Sequence, residues 1–151
     1  MLTLTHSPAD VTRWCLIALG LGADPEASNV WPIYATSEPD APDSVLTVYD
    51  TVGQSDGRSM NGGELFTQHG IQVRVRAPTH GNSGWTKADA IRHALAVSVY
   101  DEEVAIADTA SRYLVSCYSR IGEVMVLGKD APTSKRSLFT INALVSLRQL
   151  V

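Results

Sequence analysis

The side chains best equipped for chemistry are four histidines, His6, His69, His80 and His93, and two cysteines, Cys15 and Cys117. A metal site legible in sequence sets such groups at short, fixed spacings, as in HxH, HExxH or CxxC, although one can also assemble in space. None of these pairs occurs, so no metal and no cofactor is expected. Each cysteine lies in an apolar run, Trp14-Cys15-Leu16-Ile17 and Val115-Ser116-Cys117-Tyr118. That is the setting of a buried thiol acting as a small hydrophobe. Ser, His and Asp are all present, so composition leaves a triad open, but no G-x-S-x-G elbow occurs, and Gly81-Asn82-Ser83-Gly84 carries turn chemistry. The segment from Gly81 to Lys87 lacks the spacing of a phosphate loop, and Thr86 reads as a helix cap rather than an anion site. No catalytic residue is assigned, and the chain is not expected to be an enzyme.

The charged residues carry more information. Arg74 and Arg76 lie two apart on one strand, and Arg120, Lys129, Lys135 and Arg136 flank the last two strands. Bases placed this way form either a solvated edge or a stripe that meets acids or a phosphate backbone. No aromatic is interleaved with them as a base-stacking platform requires. A net charge of −4 and a pI of about 5.5 also argue against a free-standing nucleic-acid binder. The charges are unevenly spread: residues 1–70 have a balance of −7, residues 71–151 one of +3. Unlike faces on one subunit permit head-to-tail contacts that close into rings. On this reading Arg74, Arg76, Lys129, Lys135 and Arg136 face acids such as Asp40, Asp43 and Asp50 of a neighbouring copy.

The elements that must position these residues follow from the apolar pattern. With 151 residues, 44% of them hydrophobic, the chain suits a single domain over 1–151 with one core. Charged residues make up 19%, against about 25% in ordinary soluble domains. Such a deficit fits a subunit that buries surface against partners. No run reaches the ~18 apolar residues of a membrane span, so a soluble chain made in a cytoplasm is expected, with no membrane partner. Ser7-Pro8-Ala9-Asp10 starts a helix, with Val11, Trp14, Cys15 and Ala18 as its inner stripe and Gly20 and Gly22 as its stop.

Val30–Ala35 reads as an edge strand because of Pro32, Thr36–Ser44 as an exposed loop, and Val45–Tyr49 as a buried strand. Thr51–Glu64, rich in glycine, reads as a long loop of the kind that is functional or disordered. Strand Phe66–Ala77 alternates Ile71, Val73 and Val75 with Gln72, Arg74 and Arg76, so the second set is expected to face solvent. Pro78–Gly84 is a connection, and Thr86 caps a second helix with Ala88, Ile91, Leu95 and Val99 inward. Strands follow at Val104–Ala107, Tyr113–Tyr118, Gly122–Leu127 and Leu138–Leu147. The fold class is α+β: two amphipathic helices packed on one face of a mostly antiparallel sheet.

The order of these segments is more informative than any one of them. Val48-Tyr49-Asp50-Thr51-x-Gly53 precedes Gly70-Ile71-Gln72-Val73-Arg74-Val75-Arg76 and a helix. Arg120-Ile121-Gly122, Leu127-Gly128-Lys129-Asp130 and Arg136-Ser137-Leu138-Phe139-Thr140-Ile141-Asn142 then follow. This succession resembles the tail terminator, or tail completion, proteins of long-tailed bacteriophages, among the minor capsid proteins. The resemblance implies a structural virion protein at the head-proximal end of the tail. It implies a homo-hexameric ring that caps the tail tube, stops its polymerisation and joins it to a head-completion or connector protein. DNA would pass through such a ring without sequence-specific binding. Another head–tail connector or a tail-tube subunit is the alternative, and a small hydrolase the last one.

Overall fold

The computed structural model describes residues 3–150 except 56, 62, 65, 66, 108 and 133. The chain runs α1 (Pro8–Ala18), β1 (Ile33–Ala35), β2 (Val45–Ser55), β3 (Arg58–Ser59), β4 (Gly63–Glu64) and β5 (Thr67–Pro78). It continues with α2 (Ser83–Val97), β6 (Glu102–Ala105), β7 (Arg112–Ser119), β8 (Met125–Lys129) and β9 (Arg136–Leu150). Seven strands form one sheet in the order β1-β2-β5-β9-β7-β6, with β8 also paired to β9. Among the described residues, β1 and β2 are the one parallel pair of this sheet, and its other pairs are antiparallel. The class is α+β, with two helices packed on a mostly antiparallel sheet.

Both helices lie on the face built from alternate residues of the central strands. Leu46 and Val48 of β2, Ile71, Val73 and Val75 of β5, and Ile141 and Val145 of β9 are buried there. They pack with Ala9, Val11, Cys15 and Leu16 of α1 and Ala88, Ile91 and Leu95 of α2 in one cluster. The helix ends follow from local chemistry. Ser7 Oγ accepts from the Asp10 N–H at 3.2 Å, and Pro8 opens the first turn. At the other end Gly20, at φ +75°, lets Leu21 N–H reach Leu16 O while its own N–H reaches Ile17 O.

Several elements differ from the sequence reading. The inner stripe of α1 is Val11, Thr12, Cys15 and Leu16, because the helix is rolled so that Ala18 faces solvent. Thr86 is not a cap: α2 starts at Ser83, after Asn82, and Thr86 N–H bonds Asn82 O as an ordinary helical donor. The segment expected as one loop from Thr51 to Glu64 instead extends β2 to Ser55 and adds the β3–β4 hairpin. Glycine makes that extension possible: a Cβ on Gly70 would collide with Thr51 Oγ1 and Val52 O, so the two strands cross closely there. Asp56 and Gly62 of the expected loop, and Phe66 of the strand after it, lie outside the described residues. Gly122 precedes β8 rather than starting it, and Cys117 is half-buried, whereas Cys15 is fully buried.

Candidate interaction faces

The residues expected at a subunit contact lie mostly on the sheet face away from the helices. Arg74 stands opposite Thr47 and Thr140, and Arg76 opposite Val45 and Leu138. Alternation correctly separates them from the core, but solvent does not cover this face. Arg76 is only 3% exposed, and Val45, Thr47 and Thr140 are buried beside it. The expected solvated stripe is therefore corrected to a covered one.

The cover is the connection between β1 and β2. Two adjacent parallel strands need a crossover, and residues 36–44 make it across this face. The sequence reads this strap as an exposed loop; Thr36, Ser37, Asp40, Ala41 and Asp43 are exposed, but Glu38, Pro39, Pro42 and Ser44 are half-buried. Arg76 Nη2 donates to Pro42 O at 2.8 Å, and Arg136 Nη1 donates to Asp40 O at 2.6 Å. Glu38 Oε2 lies 3.9 Å from Nη1 of both Arg74 and Arg76. Asp43 Oδ1 lies 3.8 Å from Arg136 Nη1, and Asp130 Oδ2 pairs with Arg136 Nη2 at 2.7 Å.

Arg74 also stacks over the Tyr49 ring, 5.1 Å from its centroid. Desolvation, reinforced by Glu38, raises the Tyr49 hydroxyl pKa above its ordinary value. A hydrogen bond from Ser134 and then the Arg136 charge hold the Asp130 carboxyl below its own. So Asp40, Asp43, Arg74, Arg76 and Arg136 do come together, but within one chain.

Asp50, Lys129 and Lys135 are placed elsewhere. Asp50 Oδ1 accepts the Ala9 N–H at 2.9 Å and so completes the start of α1. It lies on the stretch of β2 beyond β1, which continues as Thr51–Ser55, all exposed. Lys129 ends β8, and Lys135 is exposed just before β9.

The surface that the charge pattern missed is apolar. All five residues of β8 are exposed, among them Met125 at 52% and Val126 at 65%. β8 pairs with β9 on one side, and its outer side is unpaired among the described residues. The stretch of β2 beyond β1 is likewise unpaired on its outer side among the described residues, and its Val52 is 93% exposed. Unpaired strand edges with apolar side chains are templates for adding another strand. The signal was present in Met125-Val126-Leu127, three apolar residues in a row, but such a run reads equally as a buried strand.

Among the described residues, one cleft of about 500 Å³ lies between the start of α1 and the β2–β5 crossing, lined by Ser7, Asp50, Gln54, Thr67 and His69 among others. Another, about 390 Å³, is lined by Trp31, Asn82, Ser83, Thr86, Lys87 and Ala90. Lys87 Nζ donates to Leu21 O at 2.8 Å and lies 5.2 Å from the centre of the Trp31 ring; desolvation lowers its pKa. Among the described residues there is no group of three or more histidine, cysteine or acidic side chains placed to hold a metal. No described helix is long and apolar enough to cross a membrane. Set against known proteins, the chain matches no family model and none of the curated sequences.

Proposed function

We propose that the chain is a structural subunit of a bacteriophage virion, of the tail-terminator type. Copies form a ring, hexameric as in the family it resembles, at the head-proximal end of the tail. The ring caps the tail tube, stops its polymerisation and joins it to a head-completion or connector protein. The observation that carries this reading is the pair of unpaired strand edges on opposite sides of one sheet, the β8 edge apolar and the β2 edge largely polar with an exposed Val52.

The placement of those edges supports a ring rather than a two-fold pair. β8 runs antiparallel to β9, β9 to β5 and β5 to β2, so β8 and β2 are antiparallel. In a rotationally symmetric ring each β2 keeps its direction, and a neighbour's β2 would meet β8 antiparallel, continuing the alternation. The edges are also offset. Thr51 aligns through Gly70 with Leu144, whereas β8 aligns with residues 137–140 of β9. That offset is on the order of 20 Å along the strands, over a repeat of four strand spacings or about 19 Å. Copies joined with this slip would carry strands tilted by roughly 45°, close to the tilt at which sheets close into barrels. Asp50 beside one edge and Lys129 at the other give the contact opposite charges.

Tail length in particles lacking this gene tests the reading. A terminator predicts tubes that overgrow. Absence of tubes would point to a tube subunit, and tubes of normal length that fail to join heads to a connector.

A further inference from the structure

We infer that the strap-covered face of the sheet is a recognition site for an extended acidic peptide, which residues 36–44 of the same chain occupy in the isolated subunit. The strap itself shows what the face selects. Its backbone carbonyls at Asp40 and Pro42 accept short hydrogen bonds from Arg136 and Arg76. Its Glu38 and Asp43 carboxylates sit farther out, at 3.8–3.9 Å from the guanidinium nitrogens. A guanidinium engages a carboxylate best through two parallel bonds of about 2.7–2.9 Å, and none of these contacts reaches that.

The loose fit leaves bonds unmade. Nε of Arg74, Nε of Arg76, Thr47 Oγ1 and Glu38 Oε1 are all buried without a hydrogen-bond partner among the described residues. Arg76, the most enclosed of the arginines here, is only 3% exposed. The donors among them, the two Nε–H groups and the Thr47 hydroxyl, favour any acceptor that reaches them. A partner's peptide with carboxylates set toward the two Nε–H groups makes bonds that the strap does not. The strap is therefore a ligand held in place by its covalent proximity, and exchange for a better one uncovers residues 36–44. This inference stands apart from the ring: it concerns the opposite face from the helices and needs no strand pairing.

The test uses the whole chain and a ten-residue glutamate peptide. Weakening the strap with Glu38→Gln and Asp43→Asn should tighten peptide binding at least about tenfold over the unmodified chain. Arg74→Gln added to that double variant should remove the gain; Arg74 is partly exposed, so folding is checked by circular dichroism before binding is read. In the unmodified chain, saturating peptide should speed amide exchange across 36–44. Equal binding by the unmodified chain and the double variant, or exchange at 36–44 that does not change, overturns the inference. So does inorganic phosphate displacing the peptide at equal concentration, which would make the face a simple anion site.

Discussion

The two faces of the central strands are built from alternate residues of the same segments, and both are buried, yet by different means. On one face Leu46, Val48, Val73 and Ile141 meet two helices in a continuous apolar core. On the other, Arg74 and Arg76, set among the buried Thr47 and Thr140, meet a nine-residue acidic strap through the Pro42 carbonyl and the Glu38 carboxylate. The first face is held by area removed from water, which is non-directional and tolerant of small shifts. The second depends on directed contacts, so its strength lies in geometry, and several of its polar atoms lack partners among the described residues. The contrast teaches that polar alternation marks which side of a sheet a residue occupies, not whether water reaches it.

Substitutions break or sharpen that contrast in order of size. On the helix side, Leu16→Ala should lower unfolding free energy by about 3 kcal/mol in urea titration, through lost burial and a residual cavity. On the strap side, Arg76→Met should lower it by about 2 kcal/mol, because Glu38 and the Pro42 carbonyl lose a buried donor. Adding Glu38→Leu should then recover part of that loss. A single Arg76→Met that is neutral would mean that the two faces are held alike. Reversing Arg76 to glutamate is accordingly expected to damage the monomer itself, whatever it does to assembly.

The next effect belongs to the core side and is pH-dependent. Burial pushes the Cys15 thiol up to about 11, and desolvation raises the buried Tyr118 hydroxyl as well. Both acids hold their protons more tightly when folded, so the stability they contribute is complete below their unfolded pKa values and falls as pH rises. Between pH 9 and 11 the thiol should account for a loss on the order of 2 kcal/mol. Melting curves of the unmodified chain and Cys15→Ala should therefore converge as pH rises through that window.

Smaller still, Ser7→Ala should cost about 1 kcal/mol by removing the α1 cap. Arg112→Ala, which breaks an exposed pair with Glu103, should change stability by less than about 0.5 kcal/mol.

Much of the fold was legible because its signals are local. Ser7-Pro8 and Gly20 mark both ends of α1, and Ile71-Val73-Val75 marks the inner face of β5. The 3.6-residue spacing of Ala88, Ile91 and Leu95 places α2, although not its start, because Gly81-Asn82-Ser83-Gly84 reads as a turn by its composition. The strap was not legible, since nothing within Thr36–Ser44 shows that Arg136, far along the chain, will hold Asp40. The same distance in sequence hid the fact that acids and bases expected to meet between copies meet within one. The extension of β2 depended on a close crossing at Gly70, and a run of glycines reads as loop until its partner strand is known.

The central claim is that copies of this chain join through β2 and β8. Its most direct test places Val52→Cys and Val126→Cys in one chain with Cys117→Ser, oxidises it with and without tail tubes, and weighs the products by native mass spectrometry. The account predicts a ladder of covalent oligomers ending in a closed hexameric ring, at least when tubes are present. Monomers alone under both conditions, or dimers cross-linked between the two copies of position 126 by a two-fold pairing of β8, would contradict it.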